Sequence, residues 1–145
     1  MHKALDPWFV TGFCEGEASF TYSGRGSHTA LYFAIKLTKS DEDLLHSISS
    51  FFKVGCIYEV KARAPRHNSG YTKSALYYRT TKVSDLQVIV DHFERYPLQG
   101  EKKKRYEIWK EMVLLKAQFR QYDRNKLLSL AKELSSLSPR NLPWE

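Results

Sequence analysis

The segment Trp8-Phe9-Val10-Thr11-Gly12-Phe13-Cys14 constrains this chain more than any other. Asp6-Pro7 opens it as a helix, because aspartate caps free backbone N–H groups and proline fits the first helical turn. The helix should end near Gly16. It is apolar on almost every side, so it should be buried all round. Gly12 and Gly16 lie four residues apart and share one face. Each glycine costs about 1 kcal/mol against alanine in a helix, and what it offers in return is the close approach of another backbone. Close packing within one chain, with Gly16 as a simple stop, is one explanation. A second helix seated tightly on the glycine face is the other.

Two carboxylates, Glu15 and Glu17, fall at the C-terminal end of this helix. The helix dipole places partial negative charge there, so both are unfavourable by a few tenths of a kcal/mol, on the order of the usual dipole effect. An exposed face accounts easily for Glu15, less easily for Glu17, which small residues and a strand start flank. A divalent cation would remove the repulsion, and carboxylates and free carbonyls are the oxygen ligands that Mg²⁺ prefers. If two copies of the helix packed side by side, two Glu17 carboxylates would meet near the symmetry axis. That arrangement suits metal-assisted hydrolysis of phosphodiesters.

The chain has 145 residues, 42% of them apolar, which suffices for one domain with a real core. No run approaches the roughly 18 apolar residues of a membrane span, and Met1 to Pro7 lacks a signal peptide's apolar stretch. The expectation is an intracellular protein, in cytoplasm or organelle matrix, neither secreted nor membrane-bound. Cys14 and Cys56 have no zinc-type spacing and read as buried thiols in a reducing compartment. The five histidines lack ligand spacing and read as structural or surface residues. Lys plus Arg less Asp plus Glu is 23 − 16 = +7, with a pI near 9.4. Such a surplus favours a polyanionic partner, most often nucleic acid.

Downstream, Ser19 to Ser23 alternates like a strand, and Gly24 to Ser27 makes a turn. Leu31, Phe33, Ile35 and Leu37 alternate with Tyr32, Ala34, Lys36 and Thr38 in a half-buried strand. Ser40 or Asp41 caps a helix with an apolar stripe of Leu44, Leu45, Ile48, Phe51 and Phe52, and Val54-Gly55 stops it. Cys56 to Ala62 reads as a third strand, Arg63 to Ser74 as a basic loop, and Ala75 to Lys82 as a fourth strand. Ser84 caps a helix carrying Leu86, Val88, Ile89, Val90 and Phe93. A long helix runs from Glu101 to about Gln121. Asp123 caps a last one, striped by Leu127, Leu128, Leu130, Leu134 and Leu137 and ended by Ser138-Pro139. The order is α-β-β-α-β-β-α with further helices. That is a single α+β domain (core about 6–120, helical tail 121–145) with helices on one face of a mainly antiparallel sheet.

The stretch from Trp8 to Phe20 resembles the signature of the LAGLIDADG homing endonucleases. The match extends through Phe33, Ile35 and Leu37, then Asp41, Leu45, Ile48, Phe52, Val54-Gly55 and Ile57. Tyr96-Pro97-Leu98 with Lys102, Lys103, Tyr106 and Trp109 look like the family's later lysine block. The signature is degenerate: Thr11 replaces the usual Ala, both acids are Glu, and Ala18 replaces the last Gly. The resemblance implies a fold with an αββαββα core and a curved antiparallel sheet that binds DNA. It implies Glu17 as catalytic metal ligand, helped by the Gly16 carbonyl, and a lysine near the scissile phosphate, Lys102 first and Lys103 second. One motif copy implies a homodimer joined through Gly12, Phe13, Glu15 and Gly16, with a roughly palindromic target. The implied activity is site-specific cleavage of double-stranded DNA with Mg²⁺ or Mn²⁺, leaving a 5′ phosphate and a 3′ hydroxyl. Ca²⁺ would support binding without cleavage, and no small-molecule substrate is expected. An intron-encoded origin is implied in the same way. An RNA-splicing maturase or a non-cleaving DNA-binding protein on the same fold stays open.

Alternation shows which side chains would face DNA. Outward residues are Thr21, Ser23 and Arg25 near the first strand, Tyr32, Lys36 and Thr38 on the second, and Tyr77, Arg79 and Thr81 on the fourth. On the third strand Ile57 looks buried, which turns Tyr58 outward, yet Lys61 and Arg63 share the parity of Ile57; a twist or bulge near Glu59 would resolve this. Lys61 joins the DNA-contact candidates, and the loop Arg63 to Asn68, with Arg63 and Arg66, and Lys73 would add backbone contacts.

Overall fold

The structure is a computed structural model that describes residues 4–24, 29–61, 74–118 and 122–137. Helix α1 (Pro7–Glu17) leads into strands β1 (Ala18–Ser23) and β2 (Ala30–Thr38). A 3₁₀ turn (Lys39–Asp41) precedes helix α2 (Glu42–Phe52), which returns to strands β3 (Cys56–Val60) and β4 (Ala75–Thr80). Helices α3 (Val83–Arg95), α4 (Lys102–Lys116) and α5 (Arg124–Ser136) follow. The strands form one antiparallel sheet in the order β1-β2-β4-β3. This is the expected α+β order.

Alternation decides the two sheet faces. Phe20 on β1, Leu31, Phe33, Ile35 and Leu37 on β2, and Leu76 and Tyr78 on β4 are buried under the helices. Phe20 sits at the centre, its ring 5.1–5.3 Å from those of Phe33, Phe93, Tyr106 and Trp109. Three of these pairs are edge-to-face and the Phe33 pair is tilted, and aromatic pairs of this kind contribute about 0.5–1.5 kcal/mol each beyond area burial. Their polar atoms are satisfied: Trp109 Nε1 donates to the Thr21 carbonyl at 3.1 Å, and the Tyr78 hydroxyl to the Val54 carbonyl at 2.6 Å.

Several expectations need correction. Helix α1 is not buried all round: Val10, Thr11 and Cys14 are buried, but Trp8 is 52% and Phe9 46% exposed. Trp8 touches the Tyr96 ring at 5.2 Å, yet about half of Trp8 and Phe9 stays uncovered among the described residues. Cys56 is exposed, because it begins an edge strand, whereas Cys14 is buried and burial pushes its thiol up to about 12. Helix α3 starts at Val83, so Ser84 is inside it and Lys82 holds the cap position. Val88, Leu128 and Leu137 point to solvent rather than into the core. Helix α4 ends at Lys116, short of Gln121. α2 stops at Lys53, which adopts the left-handed conformation at φ 62°, before Val54-Gly55.

The parity conflict on β3 is settled without a bulge. The pairing with β4 is unbroken from Cys56↔Arg79 to Val60↔Ala75. Ile57 packs against the core and Tyr58 faces outward. Lys61 is exposed and lies beyond the last residue of the strand, so strand parity does not govern it. Arg25, Arg63, Arg66 and Lys73 lie outside the described residues.

Candidate nucleic-acid interface and acidic centre

Asp6 caps α1 as its sequence predicts, accepting from Trp8 N at 2.8 Å and Phe9 N at 3.4 Å. The buried side of the helix is tied down by a polar anchor that sequence reasoning missed. Thr11 Oγ1 donates to the Tyr96 carbonyl at 2.8 Å and lies 2.9 Å from His92 Nε2. The hydroxyl has one proton and the carbonyl can only accept, so the imidazole must supply the second bond as an Nε2–H donor. His92 is enclosed by Phe51, Phe52 and Phe93, and burial lowers its pKa to about 4. It is a neutral structural histidine. The departure of Thr11 from the usual motif alanine was the available signal.

The other side of α1 is open. A Cβ added at Gly12 or at Gly16 would meet nothing within 4 Å. Packing within the described chain therefore does not require either glycine. Phe13 is half-buried and stacks on exposed Phe9 at 6.1 Å.

At the C-terminal end the two acids diverge. Glu15 turns back on its own chain: Oε1 accepts from Gly100 N at 2.9 Å and also from Gln99 N. This clamps the 97–100 connection to α1, two residues before Lys102. Glu17 is exposed, the last helical residue before β1. Lys102 is half-buried beside this end, its Nζ 3.3 Å from the Cys14 carbonyl. Burial lowers its pKa, and the nearby carboxylates of Glu15 and Glu17 partly offset this. Lys103 is exposed and lies near Glu94, on another side of α4. Among the described residues no three His, Cys, Asp or Glu side chains are grouped to hold a cation. What one chain offers is the Glu17 carboxylate and the carbonyls of the last helical turn, Gly16 among them, a hard-oxygen set of the kind Mg²⁺ accepts but incomplete alone.

The outer sheet face carries Thr21, Ser23, Tyr32, Lys36, Thr38, Tyr58, Tyr77 and Arg79, all placed outward as alternation predicts. Thr81 is exposed just past β4. No carboxylate shares this face among the described residues; Glu59, on β3, has inward parity and pairs with Lys39 at 3.1 Å. Tyr22, on the inner side, bonds Ser135 Oγ at 2.7 Å and holds α5 to the sheet.

An acid-tipped helix with an open face, set against one end of an antiparallel sheet whose outer face is cationic, defines the architecture of a LAGLIDADG protein. The family profile "LAGLIDADG endonuclease" matches residues 10–113. The chain belongs to the LAGLIDADG endonuclease family. It is 30% identical over 122 residues to the "Uncharacterized 50.9 kDa protein in ND4 intron 1" of Podospora anserina, covering 78% of this chain and 25% of that one. The fold is similar to that of LAGLIDADG meganuclease I-AabMI bound to uncleaved DNA (TM-score 0.73, 32% identity, 91% of this chain and 45% of that one). It is also similar to I-SmaMI bound to an uncleaved DNA target in the presence of calcium ions (TM-score 0.71, 26% identity, 96% and 50%). The chain thus spans about a quarter of the fungal relative and about half of each meganuclease. No helix among the described residues is long and apolar enough to cross a membrane.

Proposed function

We propose that this chain is a site-specific double-stranded DNA endonuclease that works as a homodimer, with the paired α1 helices at the two-fold axis. The observation that carries the reading is the juxtaposition, among the described residues, of a carboxylate-free, cation-bearing sheet face with an open glycine face of α1 that ends in exposed Glu17. Positive charge and aromatic rings suit a phosphate-lined groove. The open glycines suit a second backbone. DNA-bound relatives at 26–32% identity support the same reading.

In this account Glu17, with the Gly16 carbonyl, would hold Mg²⁺ or Mn²⁺, and two copies bring the two carboxylates together. When bound, the cation supplies charge neutralisation at the scissile phosphate and a more acidic water. Lys102, held half-buried at the end of α1, places a positive charge beside Glu15 and Glu17 and can stabilise charge developing on the phosphate. Glu15 positions Lys102 by fixing the backbone at Gln99 and Gly100. Thr21, Lys36, Thr38, Tyr58 and Tyr77 contribute to the DNA-facing surface. The homodimer implies a pseudo-palindromic target and one cut per strand.

The test is a nicking and cleavage assay on a randomised duplex library, with Mg²⁺ and with Ca²⁺. The reading predicts cleavage of a recoverable target with Mg²⁺ and binding alone with Ca²⁺. Binding without cutting under both ions would leave a DNA-binding protein and overturn the nuclease assignment.

A further inference from the structure

The outer face has an internal order. Arg79 lies on β4, an interior strand, and its direct cross-strand neighbours are Ala34 on β2 and Cys56 on β3. Both are small, so the long side chain is not crowded. Its diagonal neighbours are Tyr32 and Tyr58, whose ring centroids lie 5.5 and 5.4 Å from its Cζ. Tyr58 stacks on its own cross-strand partner Tyr77 at 5.3 Å and 8°, and Lys36 Nζ lies 5.6 Å over the Tyr77 ring. Tyr32, Arg79, Tyr58, Tyr77 and Lys36 thus make one continuous array across three strands.

The two cations in this array differ. Lys36 carries a compact charge on a flexible stem, suited to a phosphate at any angle. Arg79 carries a planar fork, and a ring on each side limits where that fork can point. Among the described residues no carboxylate pairs with Arg79 and no acceptor takes its N–H groups. Flanking an exposed guanidinium with two rings while leaving its donors unused serves a partner that must be met in one orientation. A phosphate is served equally by a lysine's point charge or by a fork from many directions, whereas a guanine edge needs two parallel donors held in its own plane. An interior strand also points at the centre of the bound surface rather than its rim.

We propose that Arg79, positioned between Tyr32 and Tyr58, reads one guanine in each half-site. Guanine alone presents two adjacent acceptors, O6 and N7, on its major-groove edge, matching two parallel guanidinium donors. Adenine sets a donor beside N7, cytosine offers a donor, and thymine a methyl group. The proposal rests on the DNA-endonuclease reading above, and its test separates the two.

Bound duplexes are selected with Ca²⁺ from a randomised pool by the native chain and by the R79K, Y58L and K36A variants, all altered on the outer face. The native consensus should hold one guanine per half-site, preferred roughly 5- to 100-fold over other bases, the span expected of a bidentate contact. R79K should lose that preference and keep the rest of the consensus. Y58L should weaken it severalfold at the same position, and K36A should lower binding to all sequences alike. A guanine preference that survives R79K, a native consensus without guanine, or an R79K loss uniform across sequences would overturn the proposal while leaving the DNA reading intact. No enrichment by any of the four chains would overturn that reading and this proposal with it.

Discussion

A histidine enclosed by aromatic rings makes stability depend on pH. His92 is neutral in the fold, with its pKa near 4 against an ordinary value of 6.5. Between those values the unfolded chain binds a proton that the folded chain does not, so stability falls as pH drops from about 6.5 toward 4. Above that window the contribution is fully present. His92→Gln keeps a donor for Thr11 without the titration, so its melting temperature should fall less than the native chain's between pH 7 and pH 5. Equal slopes in thermal denaturation would assign the acid sensitivity to other groups. Gly55 is a second residue whose conformation matters. Its φ is +91°, and an added Cβ would lie 2.5 Å from Thr80 Oγ1 and 2.7 Å from the Tyr78 ring. Backbone strain and overpacking together predict that Gly55→Ala destabilises by about 2 kcal/mol or more in urea titration. A structural role for His92 was legible in sequence, but the partners that constrain either residue were not. His92 lacks any ligand spacing, and Gly55 reads as an ordinary helix stop. Both are constrained by residues more than 20 positions away, which local patterning does not reveal.

At the scale of elements, alternation and capping were the readable signals. The inward set Phe20, Leu31, Phe33, Ile35, Leu37 and Tyr78 follows from period two, and Asp6 and Asp123 cap α1 and α5 as their sequences suggest. Periodicity failed where an element has exposed apolar residues. Val88, Leu128 and Leu137 looked like core because hydrophobicity reports preference, not what a neighbour covers. α1 shows the same failure on a larger scale: its sequence demands cover on all sides, and the described residues leave Trp8 and Phe9 about half exposed. That gap yields a prediction. Among the described residues nothing lies within 4 Å of a Cβ at Gly12, so Gly12→Leu should leave the folded monomer intact and raise helix stability by up to about 1 kcal/mol. It should nonetheless abolish self-association in sedimentation velocity. An unchanged dimer mass would place the interface elsewhere.

At the scale of the whole molecule, the +7 charge and the sheet's outer face pointed to nucleic acid, while the acidic centre was only half legible. Spacing placed Glu15 and Glu17 together at a helix end, but their different fates depend on where Gln99 and Gly100 return in space. The lysine run at 102–104 was equally ambiguous until the start of α4 set Lys102 against α1 and turned Lys103 away toward Glu94. The proposed role of Glu17 is in chemistry and not in binding. Glu17→Gln keeps size and hydrogen bonding while removing the charge, at an exposed position where folding has little to lose. On a selected target, Glu17→Gln should bind within about twofold of the native chain with Ca²⁺, while Mg²⁺-dependent cleavage should fall at least about a thousandfold, the scale of losing a principal transition-state contact. Cleavage at the native rate by Glu17→Gln would contradict it.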